Sequence, residues 1–268
     1  MQTYFKIRIH FLFLCYKNNN RMSGHSKWST IKRKKGAADA KRSKEFSRIV
    51  KEISIAVKES GADPEANPRL RLAINNAKGV NMPKDNIERA INKADKDGED
   101  LHEVTFEGYL PNGIAVFIEC LTDNNNRTVS NIRAIFNKRG GNLGTNGSLS
   151  FLFERKGVIT VPRGKLDPEE FQLEIIDAGV EDFQVEGDTF VITTALEDFG
   201  NVQKAVESLG IQAENAELQR IANDTKILSK EDALKIMKII EEFEDDDDVQ
   251  NVFHNLEITD ELMEAMEE

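Results

Sequence analysis

Apolar residues recur at three- and four-residue steps between residues 43 and 60: Phe46, Ile49, Val50, Ile53 and Val57. That spacing predicts an amphipathic helix, and Gly61 ends it. Asn67-Pro68 predicts an N-cap followed by proline in the first turn. The helix it opens carries Leu70, Ala73, Ile74 and Ala77 on one face and Arg69, Arg71 and Lys78 elsewhere. Pro83 opens a third helix, with Ile87, Ala90, Ile91 and Ala94 inward. Residues 22–94 therefore read as an all-helical module with short loops. The polar stretch Asp95–Asp100 reads as a linker.

Beyond it the period changes. Val104–Tyr109 and Ile114–Cys120 flank Pro111-Asn112-Gly113, the pattern of a hairpin. A helix is predicted at 126–138, with Val129, Ile132, Ile135 and Phe136 inward and Gly140-Gly141 as the stop. Strands are predicted at 148–153 and 157–161. A helix follows at 168–178, strands at 183–186 and 189–193, a helix at 195–208 and a strand at 212–220. From 157 onward the order is strand, helix, strand, strand, helix, strand, which is the split βαβ, ferredoxin-like order. A helix at 230–243 and a strand at 249–256 can complete the unit begun at 104–139, with 154–220 inserted in it.

The chain has 268 residues, 39% of them hydrophobic and 31% charged. It is too apolar for a disordered acidic chain and too polar for a membrane protein. Its two cysteines, Cys15 and Cys120, exclude a disulfide framework and suit a reducing compartment. The net charge of -11 hides a polarity. Segment 22–51 holds ten basic residues and two acids, a net of +8, whereas 241–268 holds thirteen acids and no lysine or arginine. Screening confines fields to about a Debye length, roughly 8–10 Å, so the basic head attracts phosphates despite the negative total. Residues 1–21 are apolar and basic but show no small-residue cleavage site. They are expected to be a dispensable extension, with Met22 as the start.

Most candidate chemistry falls away on spacing. The stretch Gly140–Ser148 lacks a lysine at its end and follows a helix, whereas a phosphate loop precedes one. It reads as a helix cap and a turn. His10, His25, His102 and His254 have no partners at metal-ligand spacing, so neither a metal nor a cofactor is expected. The run Asp245–Asp248 lacks the glycine and closing glutamate of a calcium loop and reads as solvated acid. Cys120, beside Ile118 and Leu121, reads as a buried inert thiol. The basic head remains. Ser26-Lys27-Trp28-Ser29-Thr30-Ile31-Lys32-Arg33-Lys34-Lys35 mixes cations that neutralise phosphates with hydroxyls that donate to their oxygens. Trp28 suits either stacking on a base or anchoring the arm to the helical module. The candidate nucleic-acid-binding residues are His25, Lys27, Trp28, Lys32, Arg33, Lys34, Lys35, Lys41, Arg42 and Lys44. No catalytic constellation is assembled.

The opening Met22-Ser23-Gly24-His25-Ser26-Lys27-Trp28-Ser29-Thr30-Ile31-Lys32 closely resembles that of the YebC family. So do Asp63-Pro64-Glu65-Ala66-Asn67-Pro68-Arg69-Leu70-Arg71, Asn81-Met82-Pro83, Glu107-Gly108-Tyr109, the run Glu119–Val129 and Gly140-Gly141-Asn142-Leu143-Gly144. The resemblance spans about 22–256. It implies an α+β protein: an N-terminal all-helical domain followed by two α/β, ferredoxin-like domains, the third inserted into the second. The expected boundaries are 22–98 for the basic arm and helical domain, 99–153 with 221–268 for the discontinuous domain, and 154–220 for the insert. It also implies a cytoplasmic, non-enzymatic regulator of gene expression. The family is described both as DNA-binding transcriptional regulators and as factors acting at the ribosome, relatives of a mitochondrial translational activator of cytochrome oxidase. The expected partner is nucleic acid, DNA or ribosomal RNA, engaged through the basic N-terminal region, with the ribosome as a further partner. No membrane and no small-molecule substrate are expected.

Overall fold

The computed structural model describes residues 39–97 and 100–267. Three helices come first: α1 (Asp39–Ser60), α2 (Pro68–Gly79) and α3 (Lys84–Asp97). Their core is the predicted one: Ile53 and Val57 of α1 meet Leu70, Ala73 and Ala77 of α2 and Ile87, Ala90 and Ala94 of α3. Gly61 ends α1 in a left-handed conformation, φ +85°, and its N–H bonds Val57 O at 2.7 Å. Asn67 caps α2 by accepting from the Leu70 N–H at 3.0 Å. Its buried Nδ2 also donates to Ala56 O and Gly61 O at 2.7 and 2.8 Å, so one side chain ties the end of α1 to the start of α2.

The hairpin is formed by β1 (His102–Leu110) and β2 (Ile114–Thr122), with Asn112 at φ 61° and Gly113 at φ 68° in the turn. After α4 (Asn125–Lys138) and the two-residue β3 (Asn142–Leu143), the chain leaves this sheet and returns as α7 (Lys230–Glu244) and β8 (Val249–His254). The antiparallel order is β3-β1-β2-β8. Ile132 and Phe136 of α4 and Ile236, Ile240 and Phe243 of α7 cover one face. Phe136 and Phe243 lie with ring centroids 4.9 Å apart, and the pair adds about 0.5–1.5 kcal/mol beyond the burial of the two rings. Cys120 is buried in this core, where desolvation raises the pKa of its thiol above the ordinary value.

The excursion builds the second sheet from β4 (Phe153–Pro162), α5 (Pro168–Ile175), β5 (Val180–Glu186), β6 (Thr189–Thr194), α6 (Phe199–Ser208) and β7 (Asn215–Ala222). Its order, β5-β6-β4-β7, is the ferredoxin-like order. The first sheet reaches the same four-stranded, helix-backed form with a different connection. Ala115, Phe117 and Phe253 on the first sheet's far face pack with Leu149 and Phe153, joining the two halves.

One expectation is corrected, and one further element was not foreseen. Residues 148–152 are not a strand but a turn and a short 3-10 helix, and a single strand runs from Phe153 to Pro162. The buried Glu107 carboxylate takes the N–H groups of Gly147 (2.7 Å) and Leu149 (2.5 Å). Donors captured by a side chain do not enter a strand ladder. The acidic end also forms α8 (Asp260–Glu267), whose Leu262 is buried against the first core with Met263 and Met266 beside it. Its many acids hide that apolar spacing.

Candidate nucleic-acid interface

Lys44, Arg48 and Lys51 stand at i, i+4 and i+7 on α1 and share one face, with Ser43 and Ser47 beside them. This face meets the turn between α7 and β8. Lys44 Nζ pairs with Asp245 Oδ1 at 3.1 Å, and Arg48 Nη2 donates to Glu244 O at 2.6 Å. Lys51 Nζ donates to Leu121 O (3.1 Å), Asp247 O (2.8 Å) and Asp248 Oδ1 (3.2 Å). A cleft of about 480 Å³ opens between helix and turn, lined by these three cations, the two serines and Asp247. Arg48 Nε is buried there with no hydrogen-bond partner among the described residues. A buried donor of that kind is rare in folded proteins.

In the acid run Asp245 and Asp247 are exposed, as expected from the sequence, but Asp248 is not solvated. Asp248 is 3% exposed. It accepts from Arg127 Nη2 and Thr128 Oγ1, both at 2.8 Å, and from Thr122 Oγ1 at 3.2 Å, besides Lys51. Burial alone pushes its carboxyl up. The hydrogen bonds from Arg127, Thr128 and Lys51 outweigh burial and hold it below the usual carboxylate range. Acids some two hundred residues along the chain thus supply the counter-charges that are missing near the basic head in sequence. Asp248 is consumed by this network. Asp245 and Asp247 remain in the turn beside the three cations.

The expected site residues fall into two groups. His25, Lys27, Trp28, Lys32, Arg33, Lys34 and Lys35 lie outside the described residues. Lys41 lies in the first turn of α1. Arg42 is exposed and places its guanidinium 5.4 Å from the centroid of the Phe46 ring. Lys44 lines the cleft. Arg48, Lys51 and the two serines were missing from the expected set. Their i, i+4, i+7 spacing was the signal that places them with Lys44. Lys51 spends its three N–H groups on Leu121, Asp247 and Asp248, and Ser47 gives its hydroxyl to Ser43 O. That leaves the Lys44 ammonium, the Arg48 guanidinium and the Ser43 hydroxyl as the donors that can bind phosphate oxygens.

A three-helix module, a four-stranded sheet and a ferredoxin-like insert define a three-domain α+β class, and the sequence comparisons agree with it. Residues 26–97 match the TACO1/YebC protein N-terminal domain, and residues 101–256 match the TACO1/YebC second and third domain. The chain belongs to the TACO1/YebC family. It is 51% identical over 240 residues to a protein of Amoebophilus asiaticus, covering 88% of this chain and 98% of that one. It is 47% identical over 247 residues to one of Desulforapulum autotrophicum, covering 91% and 100%. Both carry the name probable transcriptional regulatory protein. The crystal structure of a conserved hypothetical protein from Aquifex aeolicus superposes with a TM-score of 0.76 at 44% identity, covering 83% of this chain and 93% of that one.

Proposed function

We propose that this protein is a non-enzymatic, nucleic-acid-binding regulator of gene expression working in the cytoplasm, and that it grips phosphates with the 22–38 arm and the cleft between α1 and the α7–β8 turn. The observation that carries the reading is the α1 cleft. Three cations, Lys44, Arg48 and Lys51, and two serines line it on the helix that follows the basic arm in sequence. The arm and helical domain, 22–98, form the binding part. The discontinuous domain 99–153 with 221–268 and its insert 154–220 form an acidic body. The relatives' name points to transcription, which makes duplex DNA the first partner to test.

A second reading, RNA free or on the ribosome, is favoured by the outer surface of α3. A base-reading helix presents donors to a groove. On α3, Lys84 pairs with Glu88, and Arg89 donates to Asp85 O and Asn86 Oδ1. Its four basic and four acidic residues cancel. Contacts made by shape and charge suit structured RNA. No helix among the described residues is long and apolar enough to cross a membrane.

The test replaces Lys32, Arg33, Lys34 and Lys35 by alanine and follows affinity against salt. The log–log slope is expected to become shallower by about 3–4, at ~0.7–0.9 per phosphate contact. An unchanged slope in a folded variant overturns the reading. Competition between one duplex DNA, scrambled duplexes and ribosomal RNA at fixed salt then chooses the polymer.

A further inference from the structure

A second cationic cleft lies on the acidic body. Lys138 and Arg139 at the end of α4 and Lys235 and Lys238 on α7 surround a space of about 460 Å³, closed on one side by the hairpin turn Pro111-Asn112. Two carboxylates stand against these four cations. Glu242 takes both Lys138 Nζ (2.9 Å) and Arg139 Nε (2.6 Å), and Asp232 takes Lys235 Nζ (3.0 Å). Lys238 is exposed and has no carboxylate in ion-pair reach among the described residues. The cleft is therefore locally positive on a body, residues 99–268, that nets -23.

We propose that this cleft is a second phosphate site, which holds the backbone of the nucleic acid already engaged by α1. Three observations carry it. The charged lining sets four cations against one acid, Asp232, and has no aromatic ring to stack a base, so the cleft recognises phosphate rather than nucleobase. Its volume suits a nucleotide-sized segment. Its place is linked to the first cleft along α7: Glu242, which pairs with Lys138 and Arg139, comes three residues before Asp245, which caps the helix and pairs with Lys44. From Lys235 to Asp245 the helix rises about 15 Å at 1.5 Å per residue. A strand that advances about 3.4 Å per nucleotide covers that distance in four to five steps. Lys138 and Arg139 neutralise Glu242, the acid in its path.

This inference rests on the proposed nucleic-acid binding, and its test separates the two. The full-length chain is titrated with a short RNA hairpin and with duplex DNA of matched length over a range of salt. Lys238→Ala should make the slope shallower by about 0.7–0.9, and the triple variant Lys138→Ala, Lys235→Ala, Lys238→Ala by about 2–3. Lys238 loses no ion pair on truncation, so the single variant reports on binding and not on folding. Lys204→Ala, on α6, controls for general charge, and a drop equal to that of Lys238→Ala overturns the site. If the arm variant loses slope and both cleft variants keep it, the second site is wrong and the proposed function stands. If neither loses slope, both fall. If the cleft variants lose slope and the arm variant does not, the second site stands and the arm reading fails. Titration with adenosine monophosphate distinguishes the source of the phosphate. Competition by the free nucleotide as effective, per phosphate, as the polymer would overturn the backbone assignment.

Discussion

The side-chain amide of Asn76 pairs twice with the backbone of Ala216: Nδ2 donates to its carbonyl at 2.8 Å and Oδ1 accepts from its N–H at 2.9 Å. Ala216 lies on β7, the edge strand of the second sheet. An edge strand leaves a row of backbone groups unpaired. Here one asparagine of α2 takes the place of a neighbouring strand and fastens the helical module to the insert. The orientation of the module, and so of the α1 cleft, depends on this joint and on the Lys51–Asp248 contact.

Asn76→Ala should therefore loosen the joint. Both Ala216 groups lose their partner, at a cost of about 1–3 kcal/mol. Urea unfolding should show that loss, and hydrogen exchange at the Ala216 amide should quicken while α5 and α6 keep their protection. An Ala216 amide as slow as in the parent protein contradicts the assignment.

Gly79 makes the same joint sensitive to a single methyl. A Cβ there would lie 2.0 Å from Glu214 O, a backbone atom that cannot swing aside. In an open helix, glycine to alanine gains up to about 1 kcal/mol. Gly79→Ala should instead lose stability, by about 1–3 kcal/mol for overpacking. The sign of the change in melting temperature decides it, and an increase means the contact is not close.

Asp248 gives a pH dependence with a definite sign. Its carboxyl titrates lower in the folded protein than in the unfolded chain. The stability it contributes is present above the unfolded value of about 3.9 and is lost as pH falls through the lower folded one. Asp248→Asn should cost about 2 kcal/mol at neutral pH, since Lys51 and Arg127 keep part of their solvation. It should also flatten the acid limb of the stability curve. The difference between parent and variant should shrink as the solution is acidified below pH ~4. A difference that stays constant to low pH argues against an ionised Asp248.

The helices and most strands were legible because each turns one apolar face to a core: Ile53, Leu70 and Ile87 in the module, Ile132 and Phe136 on α4. The split βαβ insert was legible because its segments follow in the order strand, helix, strand, strand, helix, strand. What periodicity could not show was pairing at long range. Lys44 and Lys51 read as free cations and Asp248 as a solvated acid, because nothing local in the chain joins α1 to residues 245–248. Arg48 and Lys51 were readable from helical spacing once a face was chosen, and only the fold chose it. Ser148–Leu152 read as a strand because its hydrophobic residues alternate well enough. Glu107, some forty residues earlier, takes the donors that a strand would use.

That last relationship has a measurable consequence. Glu107 is 3% exposed, and its carboxylate accepts from Gly147 N, Leu149 N and, at 3.4 Å, Ser148 Oγ. Its backbone carbonyl also takes Gly144 N at 2.7 Å. The glycine-rich stretch therefore binds an anion after all, but an internal one. Glu107→Gln keeps the shape and replaces one acceptor oxygen by an NH2 group. Whichever way the amide turns, a donor then faces a backbone donor, Gly147 N–H or Leu149 N–H. A buried donor left without an acceptor costs about 1–3 kcal/mol, and the lost charge-assisted bond raises that toward the upper end. The variant should melt at lower temperature, and the Gly147 and Leu149 amides should exchange faster than those of β1 itself. Phe153 follows directly on this turn and packs against Phe117 at 6.2 Å, so the contact between the two sheets should soften as well. If the two amides keep their protection and only global stability falls, the carboxylate does not organise the turn. In that case the local preference of Gly147 for positive φ must be holding it instead.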